Sequence, residues 1–205
     1  AASEKALELL AKLAKAVEPD DRESLIKIAK TSMQSKLVSE NSVPLSKLSV
    51  DAILKIVEKD GDKYSVDLDN LKVEKKAGGS IDDTALINGI VLDKEIVHSG
   101  MPTKIEKAKI ALVNAALEVE KTEMSAEIRI SDPTQMQQFL EEENKMLKSM
   151  VDKIHSIGAN VLICQKGIDD ISQHYLSKHG IMAVRRVKES DMTKLAKATG
   201  GRITT

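Results

Sequence analysis

Apolar positions along the first third of the chain recur at helical spacing. Ala6, Leu9, Leu10, Leu13, Ala14 and Val17 mark one amphipathic helix, stopped by Pro19. Asp20 or Asp21 caps a second, with Leu25, Ile26, Ile28, Ala29 and Met33 on one side. A third runs from about Pro44 to Lys59 on a stripe of Leu45, Leu48, Ala52, Ile53, Ile56 and Val57. Asp60-Gly61-Asp62 ends this helical part, and the period then shortens to two. Tyr64, Val66 and Leu68 alternate as a strand, Leu71–Lys75 reads as another, and Leu86–Asp93 as a third. Between Lys104 and Glu118 the apolar residues fit helix and strand about equally, and the strand is favoured over Ile110–Val113.

The stretch from Lys121 to Gly158 organises the second half of the chain. Met124, Ala126, Ile128 and Ile130 alternate as a strand with one apolar face. The period then changes, with Asp132 as N-cap, Pro133 at the first helical position and Gln135 placed for a capping box. Met136, Phe139, Leu140, Leu147, Met150, Val151, Ile154 and Ile157 come next at spacings of three, four and seven, up to Gly158 as a C-terminal cap. At about 1.5 Å per residue this helix is roughly 38 Å long, enough for one end to overhang a small domain. Beyond it the elements alternate: a strand over Asn160–Gln165, a helix over Ile168–His179 whose periodicity turns Ile168, Ile171, Tyr175 and Leu176 inward, a strand over Ile181–Val184, a helix capped by Ser190 or Asp191 and ended by Gly200-Gly201, and a strand from Arg202. Short loops in a β-α-β-α-β series imply parallel strands joined by right-handed crossovers, an α/β fold. The chain opens inside helical periodicity and closes inside a strand, as a piece cut from a longer protein would.

Composition narrows the chemistry. With 31 basic and 32 acidic residues the net charge is -1, without the electrostatic excess a nucleic-acid reader needs. Tyr64, Phe139 and Tyr175 are the whole aromatic complement, too few for base stacking, so the core is aliphatic. Cys164, alone within Val161–Cys164, is a small buried hydrophobe; no disulfide or cysteine-based zinc site can be built. There is no run of 18 apolar residues and no signal peptide, so neither membrane nor export is indicated and a cytoplasmic location is expected.

Catalytic patterns are missing. The chain has no phosphate loop and no Gly-x-Gly-x-x-Gly, and its glycine pairs punctuate loops. His174 and His179 do not share a helical face, and no metal site is assigned. Asp169-Asp170 stands where a helix N-terminus favours anions. Glu141-Glu142-Glu143 is a solvated face, whereas the thioether content of Met124, Met136, Met146 and Met150 around one element reads first as core filling, with an adaptable binding surface as the alternative.

Several separate stretches carry a resemblance. Ala77-Gly78-Gly79-Ser80-Ile81-Asp82-Asp83-Thr84, Gly89–Lys94, Lys109–Leu112, Leu117–Glu123, Asn160–Asp170 and Val184–Lys188 occur in the order seen in archaeal group II chaperonins, the thermosome family, which the chain resembles over essentially its whole length. The resemblance implies three parts: residues 1–19 as the end of an equatorial-domain helix, 20–75 as an intermediate-domain segment, and 76–205 as apical domain with a helical protrusion at about 121–148. Hinges fall near Pro19–Asp21 and Lys75–Gly79.

It also implies roles. The substrate-facing groove maps to Ile171, His174, Tyr175 and Lys178, with Glu118 and Lys121 opposite. The protrusion, a built-in lid, would present Met136, Phe139 and Leu140 while Met150, Val151, Ile154 and Ile157 stay in the core. Thr31–Lys36 resembles the nucleotide-sensing loop with Lys36 approaching the terminal phosphate, although Gln34-Ser35 replaces the usual Thr-Gly. ATP and Mg would be bound by an equatorial domain this sequence lacks, so this chain alone is expected to have no ATPase activity although a full-length family member would hydrolyse ATP. The implied partners are unfolded or partly folded proteins, other subunits of a stacked double ring, and prefoldin as a candidate, with neither nucleic acid nor membrane. The alternatives are an α/β domain of a nucleotide- or metabolite-binding enzyme, which would need a phosphate-cradling motif, and a coiled-coil scaffold, which would need sustained heptads.

Overall fold

A computed structural model describes residues 2–61, 63–119 and 133–205, which separate into two compact units, 1–88 and 89–205. The first unit is helical with one small sheet. Helix α1 (Ala2–Leu13) buries none of its residues. It ends well before Pro19, because a last turn without tertiary contact has only its own propensity to hold it. Helix α2 (Arg22–Gln34) starts at Asp21, whose carboxylate accepts the Ser24 N–H at 3.1 Å. It pairs with α3 (Ser42–Ile56), and Arg22 grips Asp51 with two hydrogen bonds of 2.6 and 2.9 Å.

The third helix stops at Ile56 rather than Lys59, since Val57 turns extended and opens strand β1 (Val57–Asp60). This strand pairs antiparallel with β2 (Lys63–Val66), placing the Lys59 ammonium 5.7 Å from the centre of the Tyr64 ring opposite it. The strands expected over Leu71–Lys75 and Leu86–Asp93 are not formed. Their apolar residues have no neighbouring strand to complete a ladder, and apolar content alone does not supply one.

The second unit is built on a parallel sheet. Strands β3 (Ile110–Val113), β4 (Val161–Cys164), β5 (Met182–Val184) and β6 (Ile203–Thr204) lie in the order β5-β4-β3-β6. Helix α4 (Pro133–Ser156) precedes β4, α5 (Asp170–Lys178) joins β4 to β5, and α6 (Glu189–Thr199) joins β5 to β6. Alternation explains why β4 reads as an unbroken apolar run: Leu162 and Cys164 enter a cluster with Val151, Ile168 and Leu176, while Val161 and Ile163 enter another with Val187, Met192 and Leu195. Both faces of the sheet are covered, so both side-chain sets must be apolar.

The start of α6 also differs from expectation. Lys188, not Ser190 or Asp191, is the N-cap of α6, without a side-chain cap bond. Its backbone is still extended while Glu189 is already helical, and Asp191 is buried. Gly158 does follow α4 as a left-handed residue at φ 73°, its N–H bonded to the His155 carbonyl. Ile157, expected in the core, is 72% exposed because it lies past the last turn of α4, where the helical stripe no longer fixes its direction. The strand expected over Met124–Ile130 and the cap at Asp132 lie outside the described residues.

Candidate substrate-binding surface

The loop leaving β3 sets the position of α5. Leu117 forms a parallel bridge with Ile168, its N–H bonding to the Gly167 carbonyl at 3.0 Å and its own carbonyl accepting from Asp169 N–H at 3.0 Å. The Ser172 hydroxyl, fully buried one turn into α5, donates to the same Leu117 carbonyl at 3.0 Å. Asp169 caps the helix by accepting the Ile171 N–H at 2.9 Å. The buried Gln173 amide donates to the Ile168 carbonyl at 2.8 Å and to Asp170 at 3.0 Å. Two polar side chains, Ser172 in line with Ile168 and Leu176 and Gln173 beside them, thus lock the inner face of α5. Sequence reasoning missed both Ser172 and Gln173; the available signal was spacing, since Ser172 stands four residues from both Ile168 and Leu176.

The outer face carries the four residues that the resemblance named, so Ile171, which periodicity alone turned inward, lies outside because Ile168, Ser172 and Leu176 already fill the inner side. Ile171, His174 and Lys178 are exposed and Tyr175 is half-buried. Their spacing of three, four and seven places them along one side of the helix. His174 meets Tyr175 edge to face with ring centres 6.0 Å apart. Glu118 lies beside the entry to α5, its carboxylate resting over Gly167, where a β-carbon would displace the end of the Glu118 side chain. Here glycine serves close approach rather than an unusual φ. Lys121 lies outside the described residues. The surface therefore joins one aliphatic, one phenolic and several polar groups, able to bury apolar side chains and pair charges without a reactive centre.

Helix α4 is divided. Met136, Phe139 and Leu140 are 52%, 47% and 50% exposed, and Met146 is exposed as well. Leu147 and Val151 are buried, whereas Met150 and Ile154 are half-buried. Near its end, the His155 ring stacks on His179 at 4.2 Å, and His179 Nε2 lies 3.4 Å from Asp152, tying α4 to α5.

Elsewhere, Lys36 is exposed just past α2, and Thr31–Gln34, expected as a loop, form the last turn of that helix. Burial pushes the Cys164 thiol up, and its Sγ donates to the Ala115 carbonyl at 3.2 Å. No group of three or more His, Cys, Asp or Glu side chains suited to a metal occurs among the described residues, nor does a helix long and apolar enough to cross a membrane.

A parallel α/β sheet with one long, half-uncovered helix and one short helix exposed along its outer side defines the class as α/β. The chain belongs to the TCP-1/cpn60 chaperonin family, whose sequence model matches residues 1–205. It is 59% identical over 204 residues to the thermosome subunit of Pyrococcus abyssi and 59% identical to thermosome subunit beta of Thermococcus kodakarensis, covering 100% of this chain and 37% of each relative. The open-state monomer of a group II chaperonin from Methanococcoides burtonii aligns with a TM-score of 0.73 at 43% identity, over 98% of this chain and 44% of that one. The chain thus spans little more than a third of the length of these curated relatives.

Proposed function

We propose that the chain is the substrate-handling part of an ATP-dependent group II chaperonin subunit, binding non-native protein on the outer face of α5 and contributing to a lid through α4. In this reading residues 1–19 end an equatorial domain, 20–75 belong to an intermediate domain and 76–205 to an apical domain. ATP and Mg bind the equatorial domain, Lys36 responds to the nucleotide, and rigid-body motion about the segments near Pro19–Asp21 and Lys75–Gly79 moves the apical domain. Subunits of this kind would assemble as a stacked double ring in the cytoplasm, with prefoldin as a candidate for delivering substrate.

The observation that carries the reading is the α5 surface: Ile171 and Tyr175 are accessible on a helix whose opposite side is fixed by Leu176, Ser172 and Gln173. A rigid helix with an apolar and charged outer side binds unfolded chains without demanding one sequence, since weak burial of varied side chains suffices. Glu118 and Lys121 would add charge opposite.

The test is capture of a chemically denatured protein by the complete subunit. Tyr175→Ala combined with Ile171→Ser is expected to weaken capture by about tenfold, the loss of one to two exposed apolar anchors. Undiminished capture would move binding off α5.

A further inference from the structure

A second concave site lies away from the outer face of α5. Leu92, Ile96 and Val97 form its apolar wall, Asp93, Lys94 and Glu95 its rim, and Arg185 and Arg186 its other side, a depression open to solvent with a volume of about 540 Å³. That volume falls within the roughly 300–1,000 Å³ of ligand sites. We propose that this cavity binds an extended polypeptide segment bearing a single carboxylate beside apolar side chains, with Arg186 as its anchor. The proposal deepens the reading of the chain as a polypeptide-binding segment.

Three observations carry it. None of the five charged residues lining the cavity forms an ion pair among the described residues, so the guanidinium of Arg186 is available there. Arg185 is partly committed, its Nη1 donating to the Ile168 carbonyl at 3.3 Å, which fixes the pair next to the entry of α5. Second, Arg186 has φ 55°, the sole non-glycine residue in the left-handed region among those described. Bonds from its N–H to the Lys166 carbonyl and from Val187 N–H to the Cys164 carbonyl hold this turn, and a β-carbon is disfavoured in it. Third, Val97 N–H donates to the Ala183 carbonyl at 3.1 Å, covering the outer edge of β5 at that point. An occupant is therefore held by side chains and not as an added strand.

The lining selects the ligand. A guanidinium pairs a carboxylate through two parallel hydrogen bonds. The three cations exceed the two carboxylates by one charge, which accommodates one acidic group while Asp93 and Glu95 repel a polyanion. The apolar wall then takes the neighbouring side chains.

The experiment measures anisotropy of a fluorescent pentapeptide with one central glutamate among leucines, and of its glutamine analogue, on the complete subunit. Arg186→Gly removes the guanidinium while glycine suits the positive φ, so the variant folds with an equal or higher thermal midpoint. It should bind the glutamate peptide about tenfold more weakly and the glutamine peptide unchanged, the effect of losing a charged hydrogen-bonding partner. Asp93→Asn with Glu95→Gln should tighten the glutamate peptide. Equal binding by wild type and Arg186→Gly, no preference for glutamate, or displacement by inorganic phosphate at peptide concentrations would overturn the proposal. Capture of denatured protein is measured in parallel: its loss in the Tyr175 and Ile171 variant with pentapeptide binding intact, or the converse in Arg186→Gly, separates failure of this site from failure of the α5 surface.

Discussion

The two halves of α4 share one periodicity and have opposite fates. Met136, Phe139 and Leu140 repeat at the spacing of Leu147, Val151 and Ile154, yet the first set is open to solvent and the second meets α5 and the sheet. The difference lies in the neighbours. Past residue 147 the helix packs on Leu162, Leu176 and Ile181 in one cluster, whereas no described element covers the turns before it. An amphipathic stripe states that a face can be covered; it does not state by what. Under the function proposed above, the apolar stripe left open is the surface offered to substrate or to a neighbouring subunit.

Several measurements break or sharpen that contrast. Leu147→Ala should have the largest effect, about 3 kcal/mol in chemical denaturation, because it empties a closed core site. Gly158→Ala should cost about 1 kcal/mol, since a β-carbon is disfavoured at its φ of 73°. A smaller effect is expected from pH, through Cys164 in the cluster that also buries Val151. Burial raises its thiol pKa above the ordinary 9.0, so the folded state keeps a proton the unfolded state releases. Its contribution is complete below pH 9 and is lost as pH rises through the folded value; Cys164→Ala should flatten denaturation midpoints between pH 8 and 11.

The exposed positions should barely respond. Phe139→Ala and Ile157→Ser are expected to stay within about 0.5 kcal/mol of wild type, and a core-sized loss at Phe139 would erase the division within α4. The same residue should matter for function: Phe139→Glu in the complete subunit should leave the thermal midpoint in place and leave residues near 139 open to protease when nucleotide is present. Protection equal to wild type would remove the lid role.

Legibility followed how locally each feature is encoded. The β-α-β-α-β series was readable because apolar runs such as Val161–Cys164 and caps such as Asp169 are written in adjacent residues. The outer positions of α5 came from the resemblance, and the structure places Ile171, His174 and Lys178 exposed along one helical side, with Tyr175 half-buried. Strands at Leu71–Lys75 and Leu86–Asp93 failed, as a strand needs a partner that alternation cannot name. Ser172 was missed because its partner, the Leu117 carbonyl, becomes a neighbour only when the loop after β3 meets the entry to α5, whereas Gln173 folds back on Ile168 and Asp170 of its own segment. The cavity at Arg185 and Arg186 was equally hidden, its walls lying about ninety residues apart in sequence.

By itself the sequence determined the order and type of the helices, the parallel sheet and the family resemblance, since periodicity and motif order are properties of nearby residues, but not where α1, α3 and α6 begin or end. The tertiary structure alone decided which part of α4 is core, how Ser172 and Gln173 hold α5, and that Arg186 faces a cavity from a left-handed turn. Burial and hydrogen bonding depend on the groups standing opposite a residue, and for most of these residues those groups are supplied by other elements of the fold.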